Sequence, residues 1–551
     1  MTAVFRLCDD YVTRSAALDP VSAGMRGLST EYGAATDFGP DGNAAREELI
    51  ASTLAALAAA EASSAGVSAA EASSDGDRLA AAFLRERLEA ELAWHRAGEP
   101  LRQLRAPFGL INMVRDSVDL LPRGGDADWR GIAARLAAIP AMFDGWRASL
   151  EAGLARGLAA ARRQAVAAAA QADGYAGAHD PLVASYGGGP LAGELAEAAA
   201  QAHRGYREVA RYLRDDYAPR AAERDGVGSE RYALAARLSL GADIDLAEAY
   251  EWGWAELGRI QAELAAEAAK VSPGASVDAA AAALNQAEYV TGTGAYLAWL
   301  QDRHDEAIER LDGVHFDIAP ALRRVEVVLA RGSTSGAAYY TPPSEDLTRP
   351  GRTWWPLGGR GEEDRFETWS ELSTVFHEGV PGHHLQAGAA KMAGDRLSRF
   401  ARTTSVSGHG EGWALYAERL ADELGWFERP GTRLGMLSGS ALRAVRVVID
   451  IGVHLDLPLP DGSRWTFGRA CEMLRERGRA EPYRVEPEVI RYFGWPGQAI
   501  SYKLGERGWL AAREQAMRRP GFDLKRWHTA ALALGPIGLD ALTEELARVS
   551  A

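Results

Sequence analysis

Thr374-Val375-Phe376-His377-Glu378-Gly379-Val380-Pro381-Gly382-His383-His384-Leu385-Gln386 is the stretch on which the reading of this 551-residue chain turns. An apolar lead-in ends in a His-Glu pair, a Pro-Gly step interrupts it, and two more histidines follow at once. A further acid stands downstream in Gly410-Glu411-Gly412-Trp413. Metal-assisted amide hydrolysis calls for two neutral imidazoles and a carboxylate on one divalent cation, with a free carboxylate to take a proton from water. All four groups are offered here.

The spacing is unusual. In the HExxH pattern the two histidines lie at i and i+4, one helical turn apart on one face. Position i+4 from His377 is Pro381, which has no N–H to bond back to the His377 carbonyl and whose ring crowds that carbonyl. The helix is therefore expected to kink or bulge there, with Gly382 supplying the backbone freedom and His383 and His384 opening the next turn. An unbroken helix would put His384 nearly below His377 but roughly 10 Å along the axis, too far for one metal.

His383 is the favoured second histidine ligand, since Gly-His also closes a HExGH variant, and His384 becomes a supporting or substrate-facing residue. Glu378 is the candidate general base and Glu411 the distal carboxylate ligand. Glu418, seven residues beyond Glu411 on the same helix face, is placed to orient a ligand histidine. The bland alternative is a set of polar side chains satisfying one another, and a bare His-Glu pair means little. Against it, five of the eleven histidines (His377, His383, His384, His409 and His454) fall in one segment, three of them beside the Pro-Gly break.

Composition narrows the partners. A hydrophobic fraction of 47% is that of a globular protein with a sizeable core. The net charge of −15 argues against nucleic acid or an anionic membrane as partner. Only Cys8 and Cys471 are present, too few for a disulfide framework or a thiolate zinc cluster, so histidine and carboxylate are left as ligands. Lysine occurs only at positions 270, 391, 503 and 525, which makes Lys503, in a candidate motif, worth noting. The first residues show no basic region followed by an apolar run, and no stretch is long enough to span a bilayer, so a cytoplasmic location is expected.

The first three hundred residues are rich in Ala, Glu, Leu and Arg, including the alanine run from Leu158 to Ala172, and read as packed helices. Gly187-Gly188-Gly189-Pro190 lacks the Lys-Ser or Lys-Thr of a phosphate loop and reads as a plain connection. Helical patterning resumes over 232–269 and 284–311. From Arg324 the texture changes: Val325–Leu329 is strand-like, 332–336 a turn, and Ala337–Thr341 is expected to pair back as a small hairpin before the site, useful for holding an extended peptide or merely ornamental. No Gly/Pro-rich linker marks a second domain. The expected fold is mostly α: one large helical body with a deep groove and a small β-hairpin or sheet beside the active-site helix, residues 1–320 a helical scaffold and 321–551 the cleft with the metal site.

The segments 377–386, Glu411-Gly412-Trp413-Ala414-Leu415-Tyr416-Ala417-Glu418, Asp450-Ile451-Gly452-Val453-His454 and 495–505 together resemble bacterial domain-of-unknown-function family 885 over nearly the whole chain. That family is in turn similar to the carboxypeptidase Taq group of gluzincin metallopeptidases, helical proteins with a deep groove, a HExxH helix and a distal glutamate. The resemblance implies zinc bound by His377, His383 and Glu411, with Glu378 as base. The Pro381-Gly382 insertion departs from the pattern and leaves His383 and His384 both open as the ligand.

A tetrahedral oxyanion needs a donor besides the metal. Tyr502 is the first candidate, with Tyr492 and Tyr340 as alternatives. Arg446 and Arg491 are candidates for a terminal carboxylate, His454 with Asp450 for lining the groove, and His409 for contacting substrate. The expected function is a zinc-dependent metallopeptidase, carboxypeptidase-like, acting on a peptide or other small amide, with a homodimer as the candidate assembly. Two other readings stay open: a catalytically silent peptide-binding relative, and a hydrolase of a non-peptide amide or ester.

Overall fold

The computed structural model describes residues 1–28, 33–64, 75–330, 337–344, 347–429 and 431–548. Helices account for 68% of the chain and strands for 4%, so the architecture is mostly α as expected. Two compact units share the helices. The first comprises Met1–Val227 with Ser398–Thr403 and Phe493–Trp495; the second comprises Gly228–Leu397, Thr404–Tyr492 and Pro496–Ala551. The division falls at Val227, well before the change of texture near residue 320.

In the first unit the alanine-rich composition becomes close helix packing. Along Asp126–Ala155, Ile132, Leu136, Ile139, Phe143, Trp146 and Leu150 are buried at three- and four-residue steps, one apolar stripe facing inward. Ala192–Arg211 lies against that stripe. Gly205 allows the approach, since a Cβ there would sit 3.1 Å from Pro140 Cα, and Phe143 meets Tyr206 edge-on with ring centroids 5.1 Å apart. The alanine run becomes the helix Arg162–Tyr175, with Ala165, Ala168, Ala169 and Ala172 buried.

The second unit carries the His/Glu motifs on helices. The pattern read over 232–269 is two helices, Ser229–Leu240 and Leu246–Val271, parted where Gly241 adopts a left-handed conformation and Asp245 caps the second. The 284–311 pattern is likewise interrupted by strand β1, Tyr289–Thr291, before the helix Thr293–Leu311. At the centre runs Thr432–Leu455, buried over most of its circumference. Gly253 of Leu246–Val271 lies so close that a Cβ would come 2.9 Å from Val447.

Four further strands follow: β2 (Val325–Leu329), β3 (Tyr339–Thr341), β4 (Gly351–Trp355) and β5 (Arg365–Glu367). β5 pairs antiparallel with β1. The expected hairpin of 325–329 with 337–341 does not form. β4 lies between them, parallel to β2 and antiparallel to β3, giving the order β2-β4-β3. The physical reason is burial: Gly351, Thr353 and Trp355 alternate inward, so β4 has the period-2 core face that a central strand needs. The turn expected at 332–336 lies outside the described residues. Tyr296, Leu300, Trp355, Phe366 and Val375 form the core beneath the sheet and the site helix, each fully buried apolar side chain contributing roughly 1.5–3 kcal/mol.

Ser407–Glu423 and Ser501–Met517 cross at glycines. A Cβ on Gly412 would lie 2.4 Å from the Gly505 carbonyl carbon, and one on Gly505 2.1 Å from the Gly408 carbonyl oxygen. This crossing brings the Glu411 and Tyr502 segments together. Gly412→Ala should force the helices apart and cost about 1–3 kcal/mol; an unchanged midpoint in denaturant unfolding would contradict the close crossing.

Candidate metal centre

The Pro-Gly step is a full break rather than a bulge. One helix, Glu371–Glu378, ends at Glu378 and a second, His383–Met392, begins at His383. The four linking residues are held by Gly379 N donating to Val375 O, Gly382 N to Phe376 O and His384 N to Gly379 O. Trp413 Nε1 donates to Pro381 O at 2.7 Å. Neither glycine is there for a positive φ. A Cβ on Gly382 would come 2.0 Å from His377 O, and one on Gly379 2.3 Å from His304 Nδ1. The chain can turn this tightly only where side chains are missing.

The break brings the His377 and His383 rings to 4.9 Å between centroids, nearly perpendicular at 86°. Glu411, from Ser407–Glu423, completes the group: its Oε2 lies 3.4 Å from His377 Nε2 and 3.5 Å from His383 Nε2. The three ligand atoms all lie within 4.8 Å of one another. Glu411 Oε2 is buried with no hydrogen bond of good geometry reaching it, a lone pair directed at the space between two imidazole nitrogens. That donor set, two N and one O with no sulfur, suits a divalent cation such as zinc. The two imidazoles hold the Glu411 carboxyl well below its usual range despite burial, which favours the charged form.

Behind His377 stands Glu418. Its Oε1 lies 2.8 Å from His377 Nδ1, and Ser373 donates to its other oxygen. Burial raises the Glu418 carboxyl, but Arg443 and His377 outweigh this and its pKa is lowered. An ionised Glu418 accepts only, so His377 carries a proton on Nδ1, and Nε2 is the nitrogen that faces Glu411 and would ligate a cation there. The expected supporting role of Glu418 thus has its geometry. Glu378 is buried beside the cluster; burial pushes its carboxyl up, opposed by His377 and His383.

His384 is turned the other way. Its Nε2 donates to Leu322 O at 2.9 Å and its Nδ1 accepts from Tyr340 Oη at 3.0 Å, so both ring nitrogens are engaged. Tyr340 has spent its hydroxyl proton there and lies nearly parallel to the His383 ring at 6.4 Å. Of the two adjacent histidines, His383 is the one in the group.

Several other candidates are not brought to this cluster. His409 is buried against Trp509, whose Nε1 donates to its carbonyl. His454 is fully buried, with Nε2 donating to Tyr492 O at 2.9 Å, and Asp450 accepts from Tyr232 Oη at 2.8 Å and Gly497 N at 2.9 Å. Lys503 Nζ is buried in ion pairs with Glu256, at 2.8 Å, and Glu506. Arg446 donates to Tyr492 Oη and Glu488, each at 3.0 Å, and Arg491 donates to Glu488 at 2.8 Å. Tyr492 is 1% exposed and in turn donates to Glu488. His454, Asp450, Lys503, Arg491 and Tyr492 belong to core polar networks, since a buried polar or charged group requires a partner; Arg446 belongs to the same network and also reaches the wall of the cavity that the cluster opens into. Tyr502 does face the site, its ring 4.6 Å from the Arg446 guanidinium. Burial and the Glu411 charge push its hydroxyl pKa up, so it stays a proton donor.

The cluster opens into a cavity of about 850 Å³ whose wall includes His377, Glu378, His383, Glu411, Tyr502 and Arg443. Glu371 and Thr374 line it further along the site helix, and β3 lines it through Tyr339 and Tyr340. Arg443 and Ser373 carried no motif signal; only the position of Ser373 one helical turn before His377 could have suggested it.

A mostly helical chain with two histidines and a distal glutamate converging at the wall of a cavity defines a class of candidate metalloproteins. The chain belongs to the family described as bacterial protein of unknown function (DUF885), whose model matches residues 20–546. Two solved structures share the fold. One, described as a "putative lipoprotein" from Colwellia psychrerythraea, has a TM-score of 0.83 at 21% identity over 99% of each chain. The other, described as a "putative lipoprotein of unknown function" from Shewanella oneidensis, has a TM-score of 0.73 at 16% identity over 99% of each chain. No curated protein matches the sequence. Among the described residues no helix is long and apolar enough to cross a membrane.

Two outcomes follow from the geometry. His383→Ala should abolish zinc uptake measured by metal analysis, while His384→Ala should lower stability but retain the metal; the reverse pattern would overturn the ligand assignment. Asp450 is pushed by burial from 3.8 to about 7, so the folded state favours its neutral form. Its contribution to stability is full below about pH 4 and lost as pH rises through about 7. Urea unfolding should therefore show the wild type losing stability relative to Asp450→Asn between those values, and a constant difference would refute the shift.

Proposed function

We propose that this protein is a zinc-dependent metallohydrolase of peptide bonds, carboxypeptidase-like and similar in mechanism to the carboxypeptidase Taq group. The observation that carries the reading is the convergence of His377, His383 and Glu411 ligand atoms within 4.8 Å, at the wall of a cavity that Glu378 also lines. A silent structural site has no need of a free buried carboxylate beside its ligands.

His377, His383 and Glu411 would hold a divalent cation, which would supply Lewis acidity toward a scissile carbonyl and toward water. The chain's own groups supply the rest. Glu418 fixes the His377 ring, and the protonated Nδ1 leaves Nε2 free to ligate. Glu378, whose carboxyl is pushed up by burial against the opposing pull of the two imidazoles, takes the proton from water and returns it to the leaving amine. Tyr502, protonated and beside Glu411, is the side chain positioned to donate to the developing oxyanion.

The substrate class supported by the cavity is a short peptide or small amide. A cytoplasmic location is part of the proposal; the descriptions of the two solved relatives as lipoproteins point to a membrane-attached alternative, which cell fractionation distinguishes. Glu378→Gln should retain zinc and lose roughly 10²–10⁴-fold in turnover of a peptide library. Full activity in that variant would refute the assigned base, and zinc uptake without turnover in the wild type would mean a silent peptide-binding relative.

A further inference from the structure

We propose that Arg443 binds a carboxylate of the substrate beside the metal centre, making the cavity selective for acidic amides; this rests on the hydrolase reading for its substrate but not for its binding test. The arginines that line the cavity divide by what their guanidinium donors do. Arg446 is spent on Glu488 and Tyr492, Arg479 on Asp278 at 2.7 Å and Arg360 on Glu367. Arg443 and Arg484, which also lines the cavity with a buried Nε that has no acceptor, make no side-chain hydrogen bond among the described residues, and of the two it is Arg443 whose charge acts on Glu378 and Glu418 beside the ligand group. For Arg443 the acids nearby leave its donors unspent. Its nearest acid is Glu418, at 3.8 Å, beyond hydrogen-bond range, and both Glu418 oxygens already accept from His377 and Ser373. Its Nε is buried without an acceptor, and the side chain is only 16% exposed.

The conformation of Arg443 is built into the helix. Gly439, one turn earlier, also lines the cavity, and a Cβ there would lie 2.5 Å from Arg443 Nη1. The guanidinium lies over a position kept bare for it. Its charge acts on both Glu378 and Glu418, which places it next to the reacting carboxylate and next to the support of His377. A planar fork with unspent donors, mostly withdrawn from water, is the group that receives a carboxylate in two parallel bonds. The carboxylate can come from a chain terminus or from an acidic side chain.

Calorimetry with N-acetylglycine, N-acetylglycine amide and N-acetylaspartic acid α-amide, on both metal-free and zinc-loaded protein, tests this. Wild type should bind an acid and not the neutral amide. Preference for N-acetylglycine assigns the terminus as the source, and preference for the aspartate derivative assigns the side chain. Arg443→Ala should weaken the acid roughly 10- to 100-fold, Arg443→Lys less, and Gly439→Ala should weaken it with zinc content unchanged. Equal binding of acid and neutral amide, or an acid that binds only with zinc and equally well to Arg443→Ala, overturns the proposal. If Arg443→Ala does not fold, Arg443→Lys and Gly439→Ala decide in the same way. Arg443-dependent binding in a protein that cleaves no peptide would keep this site and remove the hydrolase reading; cleavage indifferent to Arg443 would do the opposite.

Discussion

Everything at the site depends on a steric exclusion: the four residues between Glu378 and His383 turn back on the end of one helix so closely that two of them can carry no side chain. Gly382 passes over the His377 and Phe376 carbonyls and Gly379 against the His304 ring. Trp413, from the helix that also carries Glu411, donates to the Pro381 carbonyl. One hydrogen bond thus ties the break to the element that brings the third ligand. The register of the two histidines and the position of the distal acid are therefore not independent.

The electrostatics have the same origin. Glu378, Glu411 and Glu418 gather around two imidazoles in a largely dry place, an arrangement that costs free energy unless compensated. His377 and Arg443 offset part of it for Glu418, and His377 with His383 for Glu411. Glu411 Oε2, buried and without a well-formed hydrogen bond, is what remains. A divalent cation between the three ligand atoms would neutralise this residue of negative charge and satisfy all three lone pairs at once.

The helical fold was legible because it follows from composition and apolar periodicity, and the convergence of His377 with His383 and Glu411 because proline at i+4 has definite consequences for a helix. What failed was local. The hairpin of 325–329 with 337–341 was read from adjacent strand-like runs, and the stronger inward alternation of Gly351–Trp355, further along the chain, took the central place instead. His409, His454, Asp450 and Lys503 stood in motif-like stretches, yet each serves a buried polar network; a motif does not reveal which face of a helix a residue occupies. Arg443 carried no signal at all, since its importance lies in donors left unspent, and that becomes visible only when every neighbour's partner is known.

The claim that one cation is gripped across the helix break is tested most directly by a crystal structure of zinc-loaded protein with anomalous data at the zinc edge. The account predicts a single peak roughly 2.0–2.2 Å from His377 Nε2, His383 Nε2 and a Glu411 oxygen. A peak on His384, or zinc bound only elsewhere on the surface, would contradict it.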